Sequence, residues 1–163
     1  MAVTRGQVLA LTEAAAVAER LRAEGKRLVL TNGIFDLLHT GHVTYLEAAR
    51  ALGDVLFVGL NSDAGAARLK GPRRPILPQA ERALLLTALR SVDYVVVFDE
   101  PTANSLLTAI GPHVYAKGGD YTPETLPEAG VASDVGAETR LLPLVGGRST
   151  STIIESIVAR YCP

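Results

Sequence analysis

The chain has 163 residues, 48% of them hydrophobic and 20% charged, a balance that supports one globular domain with an ordinary core and excludes a disordered chain. Its 16 basic and 17 acidic residues nearly cancel, so no general charge case exists for nucleic acid, and any anion site must be local. The one cysteine excludes an intrachain disulfide, and the short apolar runs are too short for a bilayer span. The first residues lack the basic-then-apolar order of a signal peptide, so the expected location is cytoplasmic.

In chain order, residues 11–23 have helical spacing, with Thr12 as the expected N-cap. Residues 27–31 (RLVLT) form a short β-rich run, and 43–52 return to helical spacing with Val43, Leu46 and Ala49 on one face. A second strand follows at 55–60, then a weak helix at 64–69 and a firmer one at 79–89, with Pro78 at its first turn. YVVVF at 94–98 is a third strand. Thr102 is the expected cap of a helix that puts Leu106, Leu107 and Ile110 on one side. Short strands at 114–116 and 140–142 precede a closing helix at 153–160, whose Ile153, Ile154, Ile157 and Val158 are expected to face the core.

This alternation predicts an α/β fold over residues 1–163 as a single domain. It is a Rossmann-like parallel five-stranded sheet of order 3-2-1-4-5 with helices on both faces. Such sheets bind ligands beyond the carboxyl ends of their strands, where the order reverses. Here that point lies between the first and fourth strands, whose exits carry residues 32–42 and 117–120. Two segments break the rhythm and read as surface loops. One is 70–78 (KGPRRPILP), with three prolines, a glycine and three basic residues; the other is 118–136.

The segment TNGIFDLLHTGH, residues 31–42, runs from a strand into a helix. His39 and His42 lie three apart around Gly41, so both rings can meet one ligand at a helix N-terminus, where unpaired N–H groups suit polyphosphate. Gly41 admits close approach of a phosphate, and the imidazoles can stabilise charge building on phosphorus. A zinc site is not expected, because no third ligand accompanies the pair. Gly118 and Gly119 can turn backbone N–H groups to a nucleotide, and Asp120 can accept ribose hydroxyls or cap a glycine turn. Ser149, Thr150 and Ser151 open the last helix as a second phosphate cradle, preceded by Gly146, Gly147 and Arg148; Thr152 and Glu155 also fit a capping box. Arg73 and Arg74 read as solvated charges.

On these motifs the chain resembles the cytidylyltransferase-like nucleotidyltransferases, marked by the H-x-G-H signature. Within them it is most similar to the adenylyltransferase domain of bacterial ADP-heptose synthesis. The resemblance runs from about residue 26 to 157 and rests also on NSD (61–63), RLKGPRRPI (68–76), Glu81-Arg82, SVDYVVVF (91–98), KGGDY (117–121) and RSTSTII (148–154). It implies in-line attack by a substrate phosphate on the α-phosphorus of ATP, with pyrophosphate leaving and magnesium carried by the nucleotide. His39, His42 and Lys70 would be catalytic. Asn32, Gly33, Phe35, Asp36, Gly41, Arg82, Lys117, Gly118, Asp120 and Ser149–Ser151 would bind nucleotide, and Asn61 and Asp63 substrate. The implied acceptor is D-glycero-β-D-manno-heptose 1-phosphate, the implied partners are small molecules alone, and a homodimer is the favoured assembly. Two other readings stay open: a CTP-dependent enzyme acting on glycerol 3-phosphate or another polyol phosphate, and a nucleotide-binding module without catalysis. The likeness thins at 123–137, where Leu126-Pro127-Glu128-Ala129-Gly130 replaces the usual V-G-x-E-like turn.

Overall fold

The computed structural model describes residues 6–119, 121–122, 124–143 and 147–162. The elements run β1 (Gln7–Leu9), α1 (Leu11–Ala23), β2 (Leu28–Gly33), α2 (Thr40–Arg50), β3 (Val55–Asn61), α3 (Asp63–Lys70) and α4 (Gln79–Thr87). They continue through β4 (Tyr94–Phe98), α5 (Asn104–Ile110), β5 (Val114–Gly118), α6 (Ala129–Asp134), β6 (Glu138–Leu142) and α7 (Thr150–Tyr161). All strands are parallel in one six-stranded sheet of order β1-β4-β3-β2-β5-β6. The five expected strands are β2 to β6, in the expected order, and the count is corrected by one edge strand. β1 is only three residues long, one of them polar, so it carries no readable period. Backbone bonds hold it instead: Gly6 N–H donates to Thr87 O and Gln7 N–H to Asp93 O, both at 2.9 Å. A Cβ at Gly6 would stand 2.6 Å from Val92 O, so this approach requires glycine.

Alternation along the strands feeds two cores. Leu28, Leu30 and Phe57 pack on one face against Ala14, Ala18 and Leu21 of α1, Leu106, Leu107 and Ile110 of α5, and Ala132 of α6. Val29, Leu56, Val58 and Val95 pack on the other against Tyr45, Leu46 and Ala49 of α2 and Ala83 and Leu86 of α4. Covered on both sides, β3 is buried along its whole length.

Four local expectations change. The N-cap of α1 is Ala10, not Thr12, because the Glu13 carboxylate reaches back to accept the Ala10 N–H at 2.8 Å. Ala103, not Thr102, caps α5, and its N–H is taken by Glu128 Oε1 at 3.3 Å. The expected loop after β5 holds the short helix α6, anchored by buried Ala132. The apolar face of α7 does not meet the core: Ile157 is 48% and Val158 50% exposed, and only Thr150 is buried. Both sheet faces are already covered, so α7 docks by its first turn alone.

Candidate active site

The carboxyl ends of β2 and β5 open on a cavity of about 480 Å³ at the reversal of strand order. Between β2 and α2 the chain turns sharply, with Phe35 and Leu37 both at φ 48°, a left-handed conformation costly for residues with a Cβ. This turn buries the Phe35 ring and delivers His39 to the N-cap of α2, where its Nδ1 accepts the Gly41 N–H at 3.1 Å. An imidazole that accepts at Nδ1 carries its proton on Nε2, which leaves a donor for a ligand. The His39 and His42 rings stack at 3.9 Å between centroids, and Phe35 backs His42 at 5.4 Å.

Burial, reinforced by the neighbouring His39, pushes the His42 pKa down to about 4 against a smaller upward pull from Asp36. Burial and then Arg148 also lower His39. His42 Nδ1 is buried with no hydrogen-bond partner among the described residues. Between about pH 4 and its ordinary 6.5, His42 is protonated in the unfolded chain and neutral in the folded one. The unfolded state then binds more protons, so this ring's contribution to stability is full above 6.5 and is lost as pH falls toward 4. A polyphosphate beside the ring favours the imidazolium. Nucleotide binding near pH 6 is therefore expected to take up protons, measured by calorimetry in buffers of different ionisation enthalpy. Binding without proton uptake would put the phosphates elsewhere.

The second helix end comes from α7. Ser149 Oγ accepts the Thr152 N–H at 3.1 Å and Thr152 Oγ1 accepts the Ser149 N–H at 2.9 Å, so the capping box lies one turn before the expected Thr152–Glu155 pair. Ser149, Thr150, Ser151 and Arg148 line the cavity with His39, Gly41 and His42. Two helix N-termini and a guanidinium thus converge on one volume, the arrangement that a polyphosphate requires.

Asp36 ties these parts together. Its carboxylate accepts from Arg74 Nε and Ile76 N–H, each at 2.7 Å, and from Leu77 N–H at 3.0 Å, while its main-chain oxygen accepts the Thr150 hydroxyl. Burial alone would raise this carboxyl, but the two N–H bonds and the Arg74 guanidinium outweigh it and hold the pKa below the usual range. Asp36 therefore borders the cavity as a fastener, its side chain committed to the 71–78 loop. Arg74, expected to be solvated, is its largely buried partner. Lys70 stands at the end of α3 just before this loop and lines the cavity.

Asn32, Gly33, Phe35, Asn61, Lys117 and Gly118 also line it, so most of the expected residues share one volume. Asp120 and Gly146 lie outside the described residues. Arg82 and Asp63, expected to bind nucleotide and substrate, are not among the residues that line the cavity. Arg82 is fully buried and gives its donors to Leu77 O at 2.9 Å, Ile34 O at 2.7 Å, Asn61 O at 2.9 Å and Asp63 Oδ1 at 2.7 Å. With these bonds made, its guanidinium is part of the scaffold and Asp63 is its partner. Sequence reading missed Tyr45, whose hydroxyl bonds Thr31 Oγ1 at 2.7 Å, and Glu128, a buried carboxyl in the wall. Tyr45 has helical spacing with Leu46 and Ala49 and is indistinguishable from a core residue in the sequence. Glu128 sits where motif and period both fail.

A parallel α/β sheet with stacked histidines between two helix ends at its switch point defines a nucleotide-binding fold of the Rossmann-like class. The chain belongs to the cytidylyltransferase-like family of nucleotidyltransferases, whose model matches residues 30–156. It is 51% identical over 147 residues to the bifunctional protein HldE of Pelobacter propionicus, and 54% identical over 145 residues to that of Syntrophotalea carbinolica. These matches cover 90% and 89% of this chain and 30% of each relative, so the chain spans about three-tenths of the length of the curated relatives it matches. Among solved structures, the lipopolysaccharide core biosynthesis protein of Thermoplasma volcanium superposes with a TM-score of 0.61 at 28% identity, covering 76% of this chain and all (100%) of that one. Pantoate-β-alanine ligase of Francisella tularensis gives 0.64 at 13% identity, over 90% and 69% of the two chains, a likeness of fold alone.

Proposed function

We propose that residues 1–163 act as one domain that transfers AMP from ATP to D-glycero-β-D-manno-heptose 1-phosphate, giving ADP-heptose and pyrophosphate. The observation that carries this reading is the stacked His39–His42 pair, set between the first turns of α2 and α7 in the cavity that also holds Lys70 and Arg148. The likeness to HldE proteins and to a lipopolysaccharide core biosynthesis protein supports the heptose acceptor and, with it, ATP.

An acceptor phosphate oxygen forms the new bond to the α-phosphorus, and the bond from that phosphorus to the oxygen bridging to the β-phosphate breaks, so pyrophosphate departs with its electron pair. His39 and His42 donate to the oxygens on which charge builds. Arg148 and the first turn of α7 hold the leaving phosphates, and Lys70 reaches the reacting pair. Among the described residues no group of three or more His, Cys, Asp or Glu side chains could hold a metal. On this reading magnesium would be carried by the nucleotide and would neutralise phosphate charge there. The enzyme works in the cytoplasm as a homodimer.

The test is pyrophosphate release from ATP and CTP, each paired with heptose 1-phosphate and glycerol 3-phosphate. Turnover is expected for ATP with heptose 1-phosphate. Turnover of CTP with glycerol 3-phosphate alone would overturn the assignment.

A further inference from the structure

We propose that Glu128 determines acceptor specificity by taking hydrogen bonds from hydroxyl groups of the phosphorylated acceptor. This rests on the transferase reading above and names the wall that the body of the acceptor meets.

Glu128 is 4% exposed and lies in the cavity wall, immediately before α6. Its Oε1 accepts the Ala103 N–H at 3.3 Å and stands 3.8 Å from Lys117 Nζ. Its Oε2 is buried and makes no hydrogen bond of good geometry among the described residues, with the Tyr115 hydroxyl close to the carboxyl. A buried acceptor left unpaired lowers stability, so an oxygen in this state at a cavity wall marks a place for a ligand donor. Lys117 Nζ donates onward to Asn32 Oδ1 at 3.0 Å, which also accepts the Tyr115 hydroxyl at 2.6 Å. Glu128, Lys117 and Asn32 thus form one polar strip of the lining, beside the apolar rings of Pro101 and Pro127.

This strip differs in kind from the wall made by the histidines, Arg148 and the first turn of α7. An ionised carboxyl accepts and does not donate, and it repels phosphate. The group that complements it is a hydroxyl donor. A phosphorylated sugar supplies both halves of the match, an anion for the cationic wall and hydroxyls for Glu128. Lys117 pairs with the carboxyl at 3.8 Å.

The experiment uses the full chain and the variants Glu128→Gln and Glu128→Asp. It reads steady-state pyrophosphate release, calorimetric binding of ATP and of heptose 1-phosphate measured separately, and Tm. Glu128→Gln is expected to raise KM for heptose 1-phosphate and weaken its binding by about tenfold or more, as for loss of a charged hydrogen bond. KM for ATP should stay near wild type, Tm should fall in Glu128→Gln because the buried Lys117 loses its charged partner, and Glu128→Asp, which keeps the charge, should fall between. Unchanged acceptor affinity in both variants would overturn the proposal. So would an equal loss for ATP, which would place the nucleotide on Glu128, or a fall in Tm with equal losses for both ligands, which would assign it to the scaffold. A wild type that binds heptose 1-phosphate without turning it over defeats the transferase reading and leaves the binding comparison to judge Glu128. A wild type that neither binds nor converts it defeats both.

Discussion

Replacing His42 with alanine should lower kcat by about 100- to 1,000-fold, the usual effect of removing one transition-state donor, while above about pH 7, where the ring takes up no proton, ATP still binds with near wild-type affinity. The ring is neutral at neutral pH because its pKa is pushed down to about 4, so it greets the ground-state nucleotide as a dipole rather than a cation. Its N–H strengthens as negative charge grows on the α-phosphoryl oxygens, and an interaction made chiefly in the transition state appears in kcat and kcat/KM together. The substitution also empties space between His39 and Phe35, so His42→Gln, which keeps more of the bulk and a donor, is the matching control. Single-turnover rates with saturating ATP measure the effect directly. A rate within a few-fold of wild type would remove His42 from the chemistry.

The second large effect is on stability. Arg82→Met should destabilise the fold by about 3–5 kcal/mol, because three main-chain carbonyl acceptors lose a charged donor at about 1–3 kcal/mol each. That corresponds to a fall in Tm on the order of 10 °C for a domain of this size. The side chain is 0% exposed, and it bridges the exits of β2 and β3 to the loop before α4 through Ile34 O, Asn61 O and Leu77 O. Methionine fills the volume but leaves three carbonyl acceptors without their donor, and lysine cannot reproduce the fork. Thermal denaturation without ligand reads the result. A variant with wild-type Tm and a raised KM for ATP would instead restore Arg82 to the nucleotide site.

The contrast between His42 and Arg82 shows what the sequence makes legible. The placement of the histidines was readable because it is local: a strand, a tight turn and a helix start put both rings within a dozen residues. The strand order was readable because alternating strands and helices restrict parallel topologies to few choices. Arg82 was not, since its partners stand up to 48 positions away and nothing in a helix period separates a buried arginine from a solvated one. The same holds for Arg74, whose burial depends on Asp36. For α7 the apolar spacing was real, but spacing alone does not reveal that other helices already occupy both faces of the sheet.

The fastening at Asp36 has a consequence for how such a domain can change its taste in substrates. From the turn before α2, one residue joins the loop behind Lys70 to the start of α7, so an alteration to any of them disturbs the others. Among the described residues, the stretch between β5 and α6 carries no such tether to Asp36. With the acceptor seated as proposed at Glu128, descendants of this architecture can diverge there, exchanging one acceptor for another, while the histidine pair is inherited intact.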